Sequence, residues 1–136
     1  MLMHDQSTNQ RADPADMAEV ERLKALMLKK PYFMMTRTML DPARMPEVML
    51  QHYRWVIGLE KANKILLSGP VSDKAGKPGA GVTIFRAESF EEAEAMADAD
   101  PFVSFGAVTY TMQRWQLNEG RITLQFDLSD QSCVIS

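Results

Sequence analysis

The chain contains one cysteine, Cys133, and two histidines, His4 and His52. A single cysteine closes no internal disulfide and builds no paired-thiolate zinc site. A reducing, cytoplasmic setting is therefore expected. Basic clusters are equally sparse. The densest is Lys29-Lys30, and 15 Lys and Arg against 18 Asp and Glu leave a net charge of −3. Without a basic stripe interleaved with aromatics, nucleic acid is not the expected partner. No apolar run approaches the roughly 20 residues that span a bilayer, so no membrane role is expected. Gly76-Lys77-Pro78-Gly79 lacks the spacing, and the hydroxyl residue after lysine, of a phosphate-binding loop. No His, Cys, Asp or Glu cluster has metal-ligand spacing, so neither a metal nor a cofactor is expected.

What is present fits one domain. The 136 residues are 46% apolar and 24% charged, ordinary proportions for a globular chain. A polar leader, residues 1–13, precedes a domain over 14–128, and residues 129–136 read as a loose tail. Eleven methionines are many for this length. Met34, Met35, Met39, Met45, Met49 and Met112 suit a soft core or pocket wall.

Hydrophobic spacing divides the domain. Asp13-Pro14 is a capping residue followed by proline at the first helical position. It opens a helix over 14–30 that carries Met17, Val20, Leu23, Met27 and Leu28. Residues 31–40 are apolar on both faces at Tyr32 to Met35, which suits a central strand. A helical period returns over 46–64, where Val48, Met49, His52, Trp55, Val56, Leu59 and Ala62 share one broad face. Residues 65–71 and 82–87 read as strands, separated by an exposed Gly/Lys/Pro/Ser loop over 72–81. Ser89 with Glu92 three residues on is a capping box that starts a helix ending near Asp100-Pro101. A strand begins at Val108. Its apolar phase shifts at Trp115, which suggests a bulge. Asn118-Glu119-Gly120 reads as a hairpin turn into a last alternating strand, Ile122 to Leu128. The core over 31–117 is thus β-α-β-β-α-β, the ferredoxin-like order, in an α+β fold with an added N-terminal helix and C-terminal strand. Helices cover one face of such a sheet. The other face needs a partner, so a homodimer with sheets packed face to face is expected.

His52 and Asp100 carry the chemistry most worth weighing. The spacing turns His52 inward. An unperturbed imidazole titrates at about 6.5 and exchanges protons near neutral pH. A carboxylate on one ring nitrogen fixes the tautomer and leaves the other as base. Proline after Asp100 holds its backbone extended and helps aim the side chain. The alternative is structural: a core histidine bonded to a carbonyl, and a turn aspartate bonded to its own backbone. Arg37, within the first strand, suits either an anionic substrate or a buried acid, and Arg114 does the same near the expected bulge. Tyr32, Tyr53, Tyr110, Trp55 and Phe102 suit either core packing or an aromatic pocket.

Four segments in order resemble the YCII-related family: His52-Tyr53 with Trp55-Val56, Leu66-Leu67-Ser68-Gly69-Pro70, Ser89-Phe90-Glu91-Glu92-Ala93, and Asp98-Ala99-Asp100-Pro101-Phe102. The resemblance runs from about Pro31 to Trp115. It implies a dimeric α+β barrel related to muconolactone isomerases, with a His–Asp pair at His52 and Asp100. It also places a Gly-Pro after the second strand at Gly69-Pro70, preceded by Ser68. With Phe102 and Arg37, these would contact a small-molecule substrate. Most members of the family have no assigned reaction, and one relative removes chloride from a chlorinated hydroxyquinol; the implied chemistry is cofactor-independent proton transfer, either isomerisation or elimination. A non-catalytic metabolite-binding or accessory dimeric module is the other reading. The helix before Pro31 and the strand after Asn118 lie outside the resemblance.

Overall fold

The computed structural model describes residues 11–135. The polar leader, including His4, falls largely outside them. The described residues form two compact units: Lys30–Leu117, and the flanking segments up to Lys29 and from Asn118 onward.

In Lys30–Leu117, strand β1 (Lys30–Met39) leads through a 3-10 turn at Pro42–Arg44 into helix α1 (Met45–Lys61). Strands β2 (Ile65–Ser72) and β3 (Pro78–Phe85) follow. Helix α2 (Phe90–Asp98), the single-turn helix α3 (Pro101–Ser104) and strand β4 (Val108–Leu117) complete the unit. The sheet order is β2-β3-β1-β4, antiparallel throughout. This is the ferredoxin-like arrangement read from the sequence. Pro31 lies where β1 pairs only with β4; pairing with β3 begins at Phe33. A residue without an N–H is tolerated there.

Two apolar clusters hold the helices to the sheet. Phe33, Met35 and Phe85 pack with Ala93 and Ala97, and Trp55, Leu59, Tyr110 and Met112 close around them. Phe102, Ala107, Val108 and Ala80 form the second, with Met39, Met45 and Val48 against it. Each fully buried large side chain contributes about 1.5–3 kcal/mol. The alanines of α2 matter for their size: Ala93 and Ala97 are fully buried and let the helix approach the sheet closely.

Several boundaries differ from the sequence reading. Helix α1 stops at Lys61 because Asn63 turns left-handed, with φ of 59°, and Lys64 N–H closes on Leu59 O at 2.8 Å. The loop after β2 is shorter than expected. The Asp73 carboxylate accepts from the N–H groups of Ala75 and Lys77, and β3 already begins at Pro78. There is no bulge in β4, which stays in continuous register with β1 from Val108 to Leu117. Unbroken alternation puts Trp115 on the face opposite Met112. The irregularities lie instead in β2, between Ile65 and Leu67 and between Pro70 and Ser72.

In the flanking unit, a helix over Pro14–Ala25 begins where Asp13 accepts from Ala15 N–H at 2.8 Å. It ends earlier than expected, and Lys29 adopts a φ of 53°. Strand β5 (Leu124–Asp127) does not return along β4. It pairs with β6 (Ser132–Ile135) in a separate two-stranded sheet. Residues expected to form a loose tail are thus a strand carrying exposed Cys133. Among the described residues no helix is long and apolar enough to cross a membrane.

Candidate active site

Asp100 is the centre of the site, and it is fully buried. A buried carboxylate is tolerable only if its oxygens are hydrogen-bonded. Here both are. Oδ1 accepts from Phe102 N–H at 3.0 Å and lies 2.7 Å from His52 Nδ1. Oδ2 accepts from Arg37 Nε at 2.8 Å. Local sequence accounts for the placement. Asp100 caps α3 with an extended backbone, and Pro101 occupies the first helical position. The cap that starts α3 is therefore the acid of the site. Burial pulls the Asp100 carboxyl upward. The His52 hydrogen bond and the Arg37 guanidinium outweigh it and hold the carboxyl below its ordinary value.

An ionised carboxylate only accepts, so the Nδ1 of His52 carries the shared proton. In the neutral ring Nε2 then holds the lone pair. His52 sits on the inward face of α1 with its side chain 13% exposed. The ring of Phe102 stacks on it at 4.0 Å and 16°. Two of three consecutive residues, Asp100 and Phe102, thus fix the imidazole in its plane and from its face.

Arg37 pairs the buried acid, the second of its two sequence alternatives. Its side chain is 3% exposed. Beyond Asp100, its Nη1 donates to Thr83 Oγ1 at 2.9 Å, and its guanidinium lies 5.8 Å from the Trp55 ring. Thr83 Oγ1 in turn lies 2.8 Å from Ser68 Oγ. The register explains the contact, since Ser68 and Thr83 are direct partners across β2 and β3. A continuous polar chain therefore runs His52, Asp100, Arg37, Thr83, Ser68.

Both ends of that chain line one cavity of about 630 Å³. Arg37, Ser68, Gly69, Pro70, His52 and Phe102, all expected site residues, lie in its wall. Asp100 sits behind His52 and does not line it. Met45, Met49, Val56 and Ile57 make much of the wall apolar, and Tyr53 and Glu60 contribute polar groups. Gly81 is required here: a Cβ on it would lie 2.7 Å from the Gly69 carbonyl oxygen. Of the other aromatics, Trp55 packs on Phe85, and Tyr110 donates to Asp98 at 2.6 Å. Arg114 is exposed on regular strand.

Thr83 was not singled out from the sequence, although it links Arg37 to Ser68. The available signal was one hydroxyl residue within the apolar run Val82 to Phe85. Glu60 was also missed, because its helix position groups it with solvent-facing residues.

The fold and site define a ferredoxin-like α+β domain with a buried carboxylate bonded to a cavity-lining histidine. The chain belongs to the YCII-related domain family, whose model matches residues 31–116. It is 32% identical over 68 residues to the uncharacterized protein YjpA of Bacillus subtilis (strain 168), covering 50% of this chain and 75% of that one. Its fold is similar to that of 5-chloro-2-hydroxyhydroquinone dehydrochlorinase (TftG) from Burkholderia phenoliruptrix AC1100, solved in complex with 2,5-dihydroxybenzoquinone. That similarity has a TM-score of 0.51 at 22% identity, over 62% of this chain and 92% of the other. At such identity it establishes the fold.

Proposed function

We propose that the protein is a small-molecule enzyme that moves a proton with the His52–Asp100 pair and needs no cofactor. The observation that carries this reading is the 2.7 Å contact between Asp100 Oδ1 and Nδ1 of His52, the ring that lines the cavity. Asp100 keeps the proton on Nδ1, so His52 Nε2 acts as base toward the ligand. In an elimination, Nε2 takes a proton from the substrate. The released electron pair forms a π bond, and the leaving group departs as an anion. In an isomerisation, the same imidazolium returns the proton at another carbon. Arg37 and Asp100 balance each other, so the protonated ring leaves the cluster with one positive charge beside an anionic intermediate. Ser68 bonds the developing oxyanion. The dehydrochlorinase of similar fold and its quinone ligand favour a cyclic, oxygenated substrate.

In this reading the protein works as a homodimer in a reducing compartment. Exposed Trp115, on the sheet face away from α1, supports face-to-face pairing. A second reading, a non-catalytic binding module, draws on the same Asp100. Its three bonds tie α1, β1 and α3 together whether or not a proton moves.

The test is turnover of enolisable lactones, ketones and halogenated quinols by wild type, His52→Ala and Asp100→Asn. Loss of a positioned base lowers the rate about 100- to 10,000-fold. Equal rates in all three proteins refute the enzyme reading.

A further inference from the structure

We infer that Arg37, Thr83 and Ser68 form a one-way hydrogen-bond relay that makes the Ser68 hydroxyl a donor into the cavity, so the site selects a ligand with a carbonyl or oxyanion oxygen there. This deepens the reading above and rests on it for the role of His52.

The direction follows from counting protons. Arginine has donors and no acceptor, so the 2.9 Å contact from Arg37 Nη1 uses one lone pair of Thr83. Thr83 is fully buried and out of reach of water. Its own proton needs an acceptor, and the other polar contact of its hydroxyl is Ser68 Oγ, at 2.8 Å. The opposite orientation, with Ser68 donating, would strand the Thr83 proton in the interior between a cation and a second donor. Buried groups rarely tolerate that. Thr83 therefore donates to Ser68, and the Ser68 proton is left to point elsewhere. Ser68 is exposed on the cavity wall, so a ligand oxygen or water receives it. The guanidinium at the far end polarises both hydroxyls in the same sense.

The other end of the chain has the opposite polarity. Asp100 holds the Nδ1 proton of His52, and Nε2 of the neutral ring accepts. The polar chain thus presents one acceptor and one directed donor to the cavity, both fixed by the Arg37–Asp100 pair. An enolisable ketone or lactone, or a quinol passing to its keto form, matches both ends. It gives up a proton to His52 and gathers negative charge on the oxygen at Ser68. Ser68 contacts the ligand in this arrangement; Thr83 and Arg37 are positioning residues.

The test has a ligand-free arm and a ligand arm. By NMR on the free protein, the Thr83 hydroxyl proton is expected in slow exchange, with an Overhauser contact to the Ser68 methylene. A fast-exchanging proton, or one directed away from Ser68, overturns the relay. The ligand arm uses 2-tetralone labelled with carbon-13 at the carbonyl, with tetralin as the hydrocarbon control. Wild type should bind the ketone more tightly than tetralin and move its carbonyl resonance downfield. Ser68→Ala should abolish that shift and reduce the preference by about 5- to 10-fold, the value of one hydrogen bond. Thr83→Val should weaken both, and Thr83→Ser should restore them. An unchanged carbonyl shift in Thr83→Val, or a ketone that binds wild type no better than tetralin, overturns the inference. Exchange of the ketone's α-protons into deuterated water is scored separately. A polarised carbonyl without exchange refutes the base and leaves the relay; exchange with an unpolarised carbonyl refutes the relay alone.

Discussion

Replacing Asp100 by asparagine exchanges one carboxylate oxygen for an amide nitrogen and should cost much of the protein's stability. The carboxylate accepts three hydrogen bonds, from His52, Arg37 and the Phe102 amide. Asparagine offers one acceptor oxygen and one amide nitrogen with two donors. Whichever way the amide turns, a donor faces the N–H of His52 or of Arg37. One such frustrated bond costs about 1–3 kcal/mol. The larger loss is electrostatic. Arg37 keeps its charge with its side chain 3% exposed, and breaking a buried pair from one side costs about 3–5 kcal/mol. With a urea dependence of about 2 kcal/mol per M, the electrostatic loss alone should lower the denaturation midpoint by about 2 M. Equilibrium unfolding at neutral pH followed by tryptophan fluorescence measures it, since Trp55 lies against the Arg37 guanidinium. Adding Arg37→Met to Asp100→Asn should recover part of the loss, because the orphaned charge is then gone. A single-variant loss below about 1 kcal/mol would refute the assignment of Asp100 as the site's buried anion. So would a double variant worse than the single. Acid should narrow the gap between wild type and Asp100→Asn. The folded carboxyl is held below its ordinary value, so its contribution is complete above the unfolded pKa of about 3.9. It is lost as the pH falls through the lower, folded value.

Three further outcomes follow from packing. Gly81→Ala forces a Cβ against the Gly69 carbonyl and should lower stability by about 1–3 kcal/mol; Gly58→Ala, in the interior of α1 with open space around it, should raise it by about 0.5–1 kcal/mol. Thermal melts of the two variants should move in opposite directions. Phe102→Leu removes the ring stacked on His52, should cost about 0.5–1.5 kcal/mol, and should broaden the imidazole NMR resonances as the ring gains freedom. Ser89→Ala deletes the acceptor for Glu92 N–H and should cost about 1 kcal/mol, measured by urea titration.

Local signals made much of this fold legible. Asp13-Pro14 and Ser89 with Glu92 start helices because their side chains meet orphaned amides in the next turn, information held within four residues. The helical period placed His52 inward, and the proline after Asp100 marked the end of α2. Long-range register was not legible. Thr83 matters because strand pairing sets it opposite both Met35 and Ser68, and no spacing along the chain encodes that. Trp115 misled for a related reason. Its apolar side chain suggested a slipped strand, whereas an unbroken strand simply carries it to the other face. At the C-terminus, Ser129-Asp130 was the turn signal. Asp130 accepts from Ser132 N–H, and Gln131 adopts a φ of 58°. A four-residue strand at a chain end gave too little alternation to be read as β6.

The single turn of α3 also equips the protein with an internal gauge. The Phe102 amide donates to Oδ1, the same oxygen that faces His52 Nδ1. Its proton therefore feels every change in the charge shared between acid and imidazole. One backbone resonance, assignable in the ligand-free protein, should move when His52 gains or loses a proton and again when the cavity fills. Screening for a substrate can then begin without any assay for its product: compounds are added one at a time, and the peak at residue 102 is watched.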